Sequence, residues 1–268
     1  MIDFLTVDFM RYPFLAAVVM SAALVPLGVY VNLRRIIFVG IAAPQMAAFG
    51  AVVGAALGWP TFWPALAFAW VSIMLLGPLS RARQVSRGAV MALFYIFATV
   101  AYLLLLATNP SAETEVANVF FGNVLAVGLK DVFLAAAVAI PVVLVLYLIR
   151  RRINISLFDR DAAAVTGARP AASEFAFYAL LGLSVATAMK FMGVLLTFTL
   201  LALPATVGLL WAKRMWQAVV ASSVFATVGL YVGFGLSYEL DWPTGPAAAA
   251  PLAVIALGAV VIKAVRRG

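Results

Sequence analysis

"EFAFYALLGLSVATAMKFMGVLLTFTLLALPATVGLLWA", residues 174–212, decides how this chain is built. An α-helix needs roughly 17–25 apolar residues to cross the hydrocarbon of a bilayer, so the run is too long for one crossing. It is also too continuous to part cleanly. After Glu174 its single charge is Lys190, close to Gly193, and that is where a division is expected: one span over 174–189, a second over 192–212. A re-entrant fold at that point would change the count by one.

Outward from this stretch the chain divides by its other apolar runs, near 12–33, 36–58, 62–79, 88–107, 132–149, 216–238 and 246–262. The expectation is nine spans in an all-α, polytopic membrane protein, a single transmembrane domain over residues 1–268. Composition agrees. Of the 268 residues 66% are hydrophobic and 10% charged, against roughly a quarter charged in a soluble domain. The segment "ANVFFGNVLAVGLKD", 117–131, is apolar but short, and is expected to lie at the outer surface or dip part way in. The N-terminus carries Asp3 and Asp8 where a signal peptide would be positive, so no cleavage is expected.

Lys and Arg concentrate in cytoplasmic loops, which fixes the expected orientation. With the N-terminus outside and the C-terminus cytoplasmic, only Arg11, Lys130 and Lys190 of the 18 Lys and Arg fall outside. The acids distribute the other way, with Asp159, Asp161 and Glu174 alone inside. The net charge of +8 is thus a topology signal, and no nucleic-acid partner is expected: that would need a clustered basic face with aromatics.

Absences narrow the chemistry. No Cys and no His are present, which excludes disulfides, thiolate catalysis and the commonest transition-metal ligand. Apart from Lys190, no ionisable residue falls near the middle of a span. Proton- or ion-coupled carriers need such groups at the midplane, and a membrane-embedded enzyme would need a nucleophile, acid or metal cluster. The spans instead carry small-residue faces, Gly50, Gly54 and Gly58 in the second and Gly229 and Gly233 in the eighth. Prolines 26, 44, 78, 141 and 204 add expected kinks.

Two loops exceed what a helix reversal needs. The inner stretch 150–174 contains "SLFDRDAAAVTGARP", where Asp159 can cap a short helix that Gly167 ends before Pro170; it is either a docking surface or a solvated loop. The outer "SYELDWPTGP", 237–246, makes a rigid turn that opens the last helix at Pro246. Glu239 and Asp241 at its mouth are solvated acids or an attraction for a cation or basic partner.

These residues carry a resemblance. "ATAMKFMGVLLTFTLLALPATVGLL" (186–210) followed by "GLYVGFGLSYELDWPTGP" (229–246) resembles the closing third of the metal-uptake ABC permeases, which serve zinc, manganese and iron importers. "FFGNVLAVGLKDV" (120–132) is similar to that family's outer segment, "SLFDRDAAAVTGARP" to its coupling-helix loop, and "PLGVYVNLRRIIFVGIAAPQMAAFGAVVGAALG" to its first two helices. The similarity runs over nearly the whole chain. It implies a permease in the cell membrane that is not itself an enzyme and holds no cofactor. ATP would be bound by a separate cytoplasmic ATPase, substrate would come from an extracytoplasmic binding protein, and a second permease subunit would complete the path. Leu157, Phe158, Asp159, Arg160, Asp161 and Gly167 would then contact the ATPase.

At the presumed path the chain departs from the pattern. Where many family members read Gly-Asp-x-x-x-His in the second helix, this one has Gly40, Ile41 and Gln45, and the outer Gly-Asp appears as Gly122 and Asn123. Neutral amides supply no charge to offset dehydration of a divalent cation. Gln45 is a helix-to-helix contact or a path-lining residue; with Pro44 beside it and Met46 next, Gln45, Met46 and Asn123 are the expected path residues, and the metal ligands are unknown. Three readings stay open: a metal path relying on the binding protein for charge, half of a heterodimer whose partner bears the acid and His, or a scaffold for a chelate or small solute. A carrier working without any ATPase is the alternative outside this class.

Overall fold

The computed structural model describes residues 5–79, 86–108, 127–158 and 170–266. They form helices α1 (Asp8–Leu33), α2 (Val39–Ala56), α3 (Phe62–Leu79), α4 (Arg87–Thr108), α5 (Leu129–Phe158), α6 (Pro170–Trp211), α7 (Met215–Leu240) and α8 (Thr244–Val265). Seven are long and apolar enough to cross a membrane; the apolar run described in α3, Phe62–Leu75, is shorter. The nine expected spans are therefore corrected to eight helices among the described residues. The difference lies in α6, counted as one element although it breaks at Gly193, three residues after Lys190, where two spans were expected to part.

Helix α6 consists of two helical limbs joined at Gly193. Gly193 sits at φ 69, ψ 180, a region open in practice only to glycine. The break folds the helix back on itself, as two contacts show. Glu174 Oε1 lies 3.8 Å from Arg34 Nη1, and Thr206 Oγ1 lies 3.3 Å from Asn32 Oδ1. Asn32 and Arg34 are next-but-one neighbours, whereas in a straight helix residues 174 and 206 would stand about 48 Å apart at 1.5 Å per residue. An outgoing limb (170–192) and a returning limb (194–211) thus end near the same end of α1.

Helices α1, α2 and α6 form the centre. The apolar windows of α1 and α2 are 67% and 72% buried, those of α4 and α8 17% and 22%. Close approach at the centre depends on missing side chains: a Cβ on Gly28 of α1 would strike the Leu201 carbonyl of the returning limb. The seam of α2 with α3 uses Gly50 and Gly54 against Pro64, and that of α7 with α8 uses Gly229 against Leu252 and Gly233 against Ala248, as the small-residue faces lead one to expect. Gly58 departs from that expectation. It lies beyond the end of α2 with φ 69 and open space around it, and closes the helix: its N–H donates to Ala55 and that of Trp59 to Gly54, the paired bonds of a Schellman cap.

Charged contacts sort to two ends of the molecule. At one end Arg34 meets Glu174 and stands 4.6 Å over the Phe177 ring, and Lys263 of α8 stands 4.8 Å over Trp211. At the other, Lys190 Nζ meets Asp131 Oδ1 at 3.1 Å, with the Phe62 ring 5.0 Å away. Each ion pair joins residues that the charge distribution assigns to the same side. Two loop expectations change. Helix α5 continues through Arg150–Arg152 to Phe158 and α6 begins at Pro170, so much of the expected 150–174 loop is helical; and α8 opens at Thr244, ahead of Pro246.

Candidate translocation path

Helix α2 carries the first site residues. Gln45 and Met46 are buried and Ile41, one turn before Gln45, is 37% exposed. The start of α2 lies against the returning limb, since a Cβ on Gly40 would run into the Phe198 ring. Gln45 is also a contact between helices: its amide meets Thr99 Oγ1 of α4 at 3.3 Å. Next to it, the Phe49 ring packs edge-on against Phe68 of α3 and Phe97 of α4, at 5.1 Å and 5.7 Å between centroids. The aromatic packing fixes the height of α2 relative to its neighbours, and so the height at which Gln45 stands.

The other expected residues are not brought to this place. Asn123 lies outside the described residues, as do Asp159, Arg160, Asp161 and Gly167. Leu157 and Phe158 fall in the last turn of α5 instead of a loop. Glu239 is in the last turn of α7, and Asp241 caps that helix in the left-handed region at φ 52; both are exposed. The turn beyond them is held by Ser237, whose hydroxyl lies 2.8 Å from the Trp242 carbonyl and 3.2 Å from Thr244 Oγ1. Among the described residues no three acids, histidines or cysteines gather to hold a metal ion.

Two polar contacts escaped the sequence reading. Thr99 is the one small hydroxyl midway along α4, a visible signal, but its pairing with Gln45 depends on which helices are neighbours. Asn32 sits at the end of α1, where its amide donates to the Gly28 carbonyl at 3.0 Å and reaches the Ala202 carbonyl at 3.5 Å. It ties α1 to the returning limb. Among the described residues the groups placed about Gln45, namely Ile41, Met46, Phe49 and Thr99, are uncharged, and such a surface cannot hold an ion tightly.

A broken central helix and small-residue seams in a bundle of long apolar helices fit a membrane transport protein of the permease class. Residues 6–263 match the ABC 3 transport family, and the chain belongs to that family. It is similar to a probable metal transport system membrane protein of Thermotoga maritima, 27% identical over 91% of this chain and 86% of the relative. It is likewise similar to the manganese transport system membrane protein MntB of a Synechocystis strain, 25% identical over 89% and 79%. In fold it resembles the structure described as PsaBC from Streptococcus pneumoniae in complex with Fab, at 22% identity and a TM-score of 0.81, covering 96% of this chain and 93% of that one. The chain is thus a multi-pass permease subunit of an ABC transporter in the plasma membrane, not an enzyme. Membership implies a complex with an ATPase and a substrate-binding protein.

Proposed function

We propose that this chain and a second permease subunit form the path of an importer for a divalent metal ion, with Mn2+ the foremost cargo and zinc and iron the related ones. The observation that carries this is the similarity, over about nine-tenths of the chain, to membrane proteins named for manganese and metal transport. The N-terminus faces outward and the C-terminus the cytoplasm, as the distribution of Lys and Arg requires. ATP binds the ATPase and not this chain. Residues 157–161 and Gly167 form the docking surface through which nucleotide-driven closure is felt, and Glu239 and Asp241 border the outer mouth where the binding protein delivers its ion. Gln45, Met46 and Asn123 line the path.

An uncharged path suits a hard cation that keeps part of its hydration and finds its countercharge elsewhere, since Mn2+ accepts neutral oxygen ligands. The replacement of acid and His by Ile41 and Gln45 favours a second reading, in which a different permease subunit supplies the charge or the cargo is a chelate. The test is uptake of radiolabelled Mn2+ by cells expressing the complete transporter, with and without a functional ATPase, alongside mass spectrometry of the complex isolated intact. ATP-dependent Mn2+ uptake with this chain as sole permease supports the first reading. A second permease bearing the acid and His supports the heterodimer. Uptake that persists without the ATPase refutes the ABC mechanism. Asp159→Arg and Gly167→Pro should abolish coupling while the chain still inserts; unaltered transport and ATPase stimulation would remove the docking surface from this loop.

A further inference from the structure

We infer that Gln45 turns its amide oxygen, not its nitrogen, toward the path, and that Thr99 of α4 is the positioning residue that holds it so. This rests on the reading of Gln45 as a path residue. The argument begins with a proton count. Thr99 Oγ1 lies 2.7 Å from the Tyr95 carbonyl one turn earlier in its own helix, and 3.3 Å from Gln45 Oε1. A hydroxyl has one proton and two lone pairs. The carbonyl, at the shorter distance and in the usual geometry of a helical threonine, takes the proton. Thr99 is then left with acceptor capacity only, and a carbonyl oxygen facing it at 3.3 Å would meet lone pair with lone pair. The two ends of an amide have nearly the same shape, and the hydrogen-bond network decides between them. Turned over, Gln45 donates from its NH2 to Thr99, and every proton has an acceptor.

Asn32 shows why the turn is available at Gln45 and not everywhere. Its oxygen also faces a threonine, Thr206, that bonds its own helix at 2.8 Å. There, however, the NH2 is held by the carbonyls of Gly28 and Ala202, and the orientation is imposed. No second group holds Gln45. The amide atom not facing Thr99 makes no hydrogen bond among the described residues and is not enclosed by protein. Ile41, one turn earlier on the same helical stripe, is 37% exposed.

The consequence is chemical. An outward NH2 would present a positive edge to an approaching cation. An outward C=O presents one neutral, hard oxygen, the donor that replaces a water on a hard divalent ion without trapping it. Thr99 thus sets the sign of the polar group that Gln45 presents to the path.

The test measures Mn2+ uptake by the complete transporter in cells, for Gln45→Ala, Thr99→Val and Thr99→Ser, with membrane content and thermal unfolding of each variant as controls. Valine keeps the shape of threonine and removes the acceptor; serine restores it. Thr99→Val should raise the apparent KM for Mn2+ about threefold to tenfold, the scale of one hydrogen bond, with maximal rate and membrane content little changed, and Thr99→Ser should return it to near the parent value. Gln45→Ala should raise it at least as far. A KM that moves with Gln45→Ala and stays put with Thr99→Val overturns the orienting role and leaves the path assignment standing. A KM unmoved by Gln45→Ala overturns both. A Thr99→Val effect that serine does not rescue assigns Thr99 to packing and overturns the inference.

Discussion

The outgoing limb of helix α6 is held near each of its ends by an ion pair, and the pairs differ in kind. Near its start, Arg34 and Glu174 have side chains only 6% and 9% exposed, and the guanidinium is covered by the Phe177 ring. Near its break, Lys190 and Asp131 are 35% and 25% exposed. Burial raises the cost of separating charges and exposure lowers it. The first pair therefore acts as a strut at the end where the two limbs of α6 and the end of α1 converge. The second is a contact that can open in water, three residues from the Gly193 break. The contrast leaves the two ends of the outgoing limb unequally fastened.

The comparison is broken most severely at the strut. Glu174→Ala removes the carboxylate that meets the buried Arg34 guanidinium, and breaking a buried pair costs about 3 kcal/mol. The expected outcome is a large loss of thermal stability in detergent, with Arg34→Met in the same chain recovering part of it, because an apolar pair needs no compensation. A fall of less than ~1 kcal/mol would class this pair with the exposed one and remove the contrast. The next effect is at the break. Gly193→Ala forces a side chain into backbone geometry open only to glycine, at about 2 kcal/mol, and should lower both stability and transport rate. Unchanged behaviour would mean that the two limbs can fold back without this conformation.

How much of this was legible beforehand follows from what hydropathy records. It marks where apolar stretches begin and end, so α1, α2, α4, α7 and α8 were visible, and the charges that sort to two ends were visible too. It is blind to whether a helix continues through a turn: 174–212 reads as evenly apolar on both sides of Lys190, and Gly193 differs from any other glycine only in its torsion angles. The division expected near Lys190 is met by the break at Gly193, but that the two limbs stay joined there without a loop was not legible. For the same reason the expected span ends before Arg150: charges end a hydrophobic run but not a helix, and α5 continues through Arg150, Arg151, Arg152 and Asn154 to Phe158. The site shows a similar limit. Gln45 was recognisable as a polar residue among apolar ones, but its partner was not, because nothing in a sequence says that α4 lies beside α2. Gly28 was passed over for lack of a repeat, although it makes the closest approach to the returning limb.

The smallest effect sharpens the comparison best, because it is measured where little stability is at stake. Lys190→Gln removes the exposed pair but keeps a side chain of similar length beside Phe62 and Phe191. An exposed pair contributes below about 1 kcal/mol and is screened by salt, so thermal unfolding should shift by a degree or two at low ionic strength and converge with the parent as salt is raised. If the pair is a latch beside the break, the same variant should change the transport rate more than the stability, since loosening it frees the limb from α5 at that end without touching the strut. Salt should imitate the substitution in the parent protein and have no further effect in the variant. A salt response of equal size in both proteins would place the screened interaction elsewhere, and Lys190 would then be a solvated residue that happens to stand near Asp131.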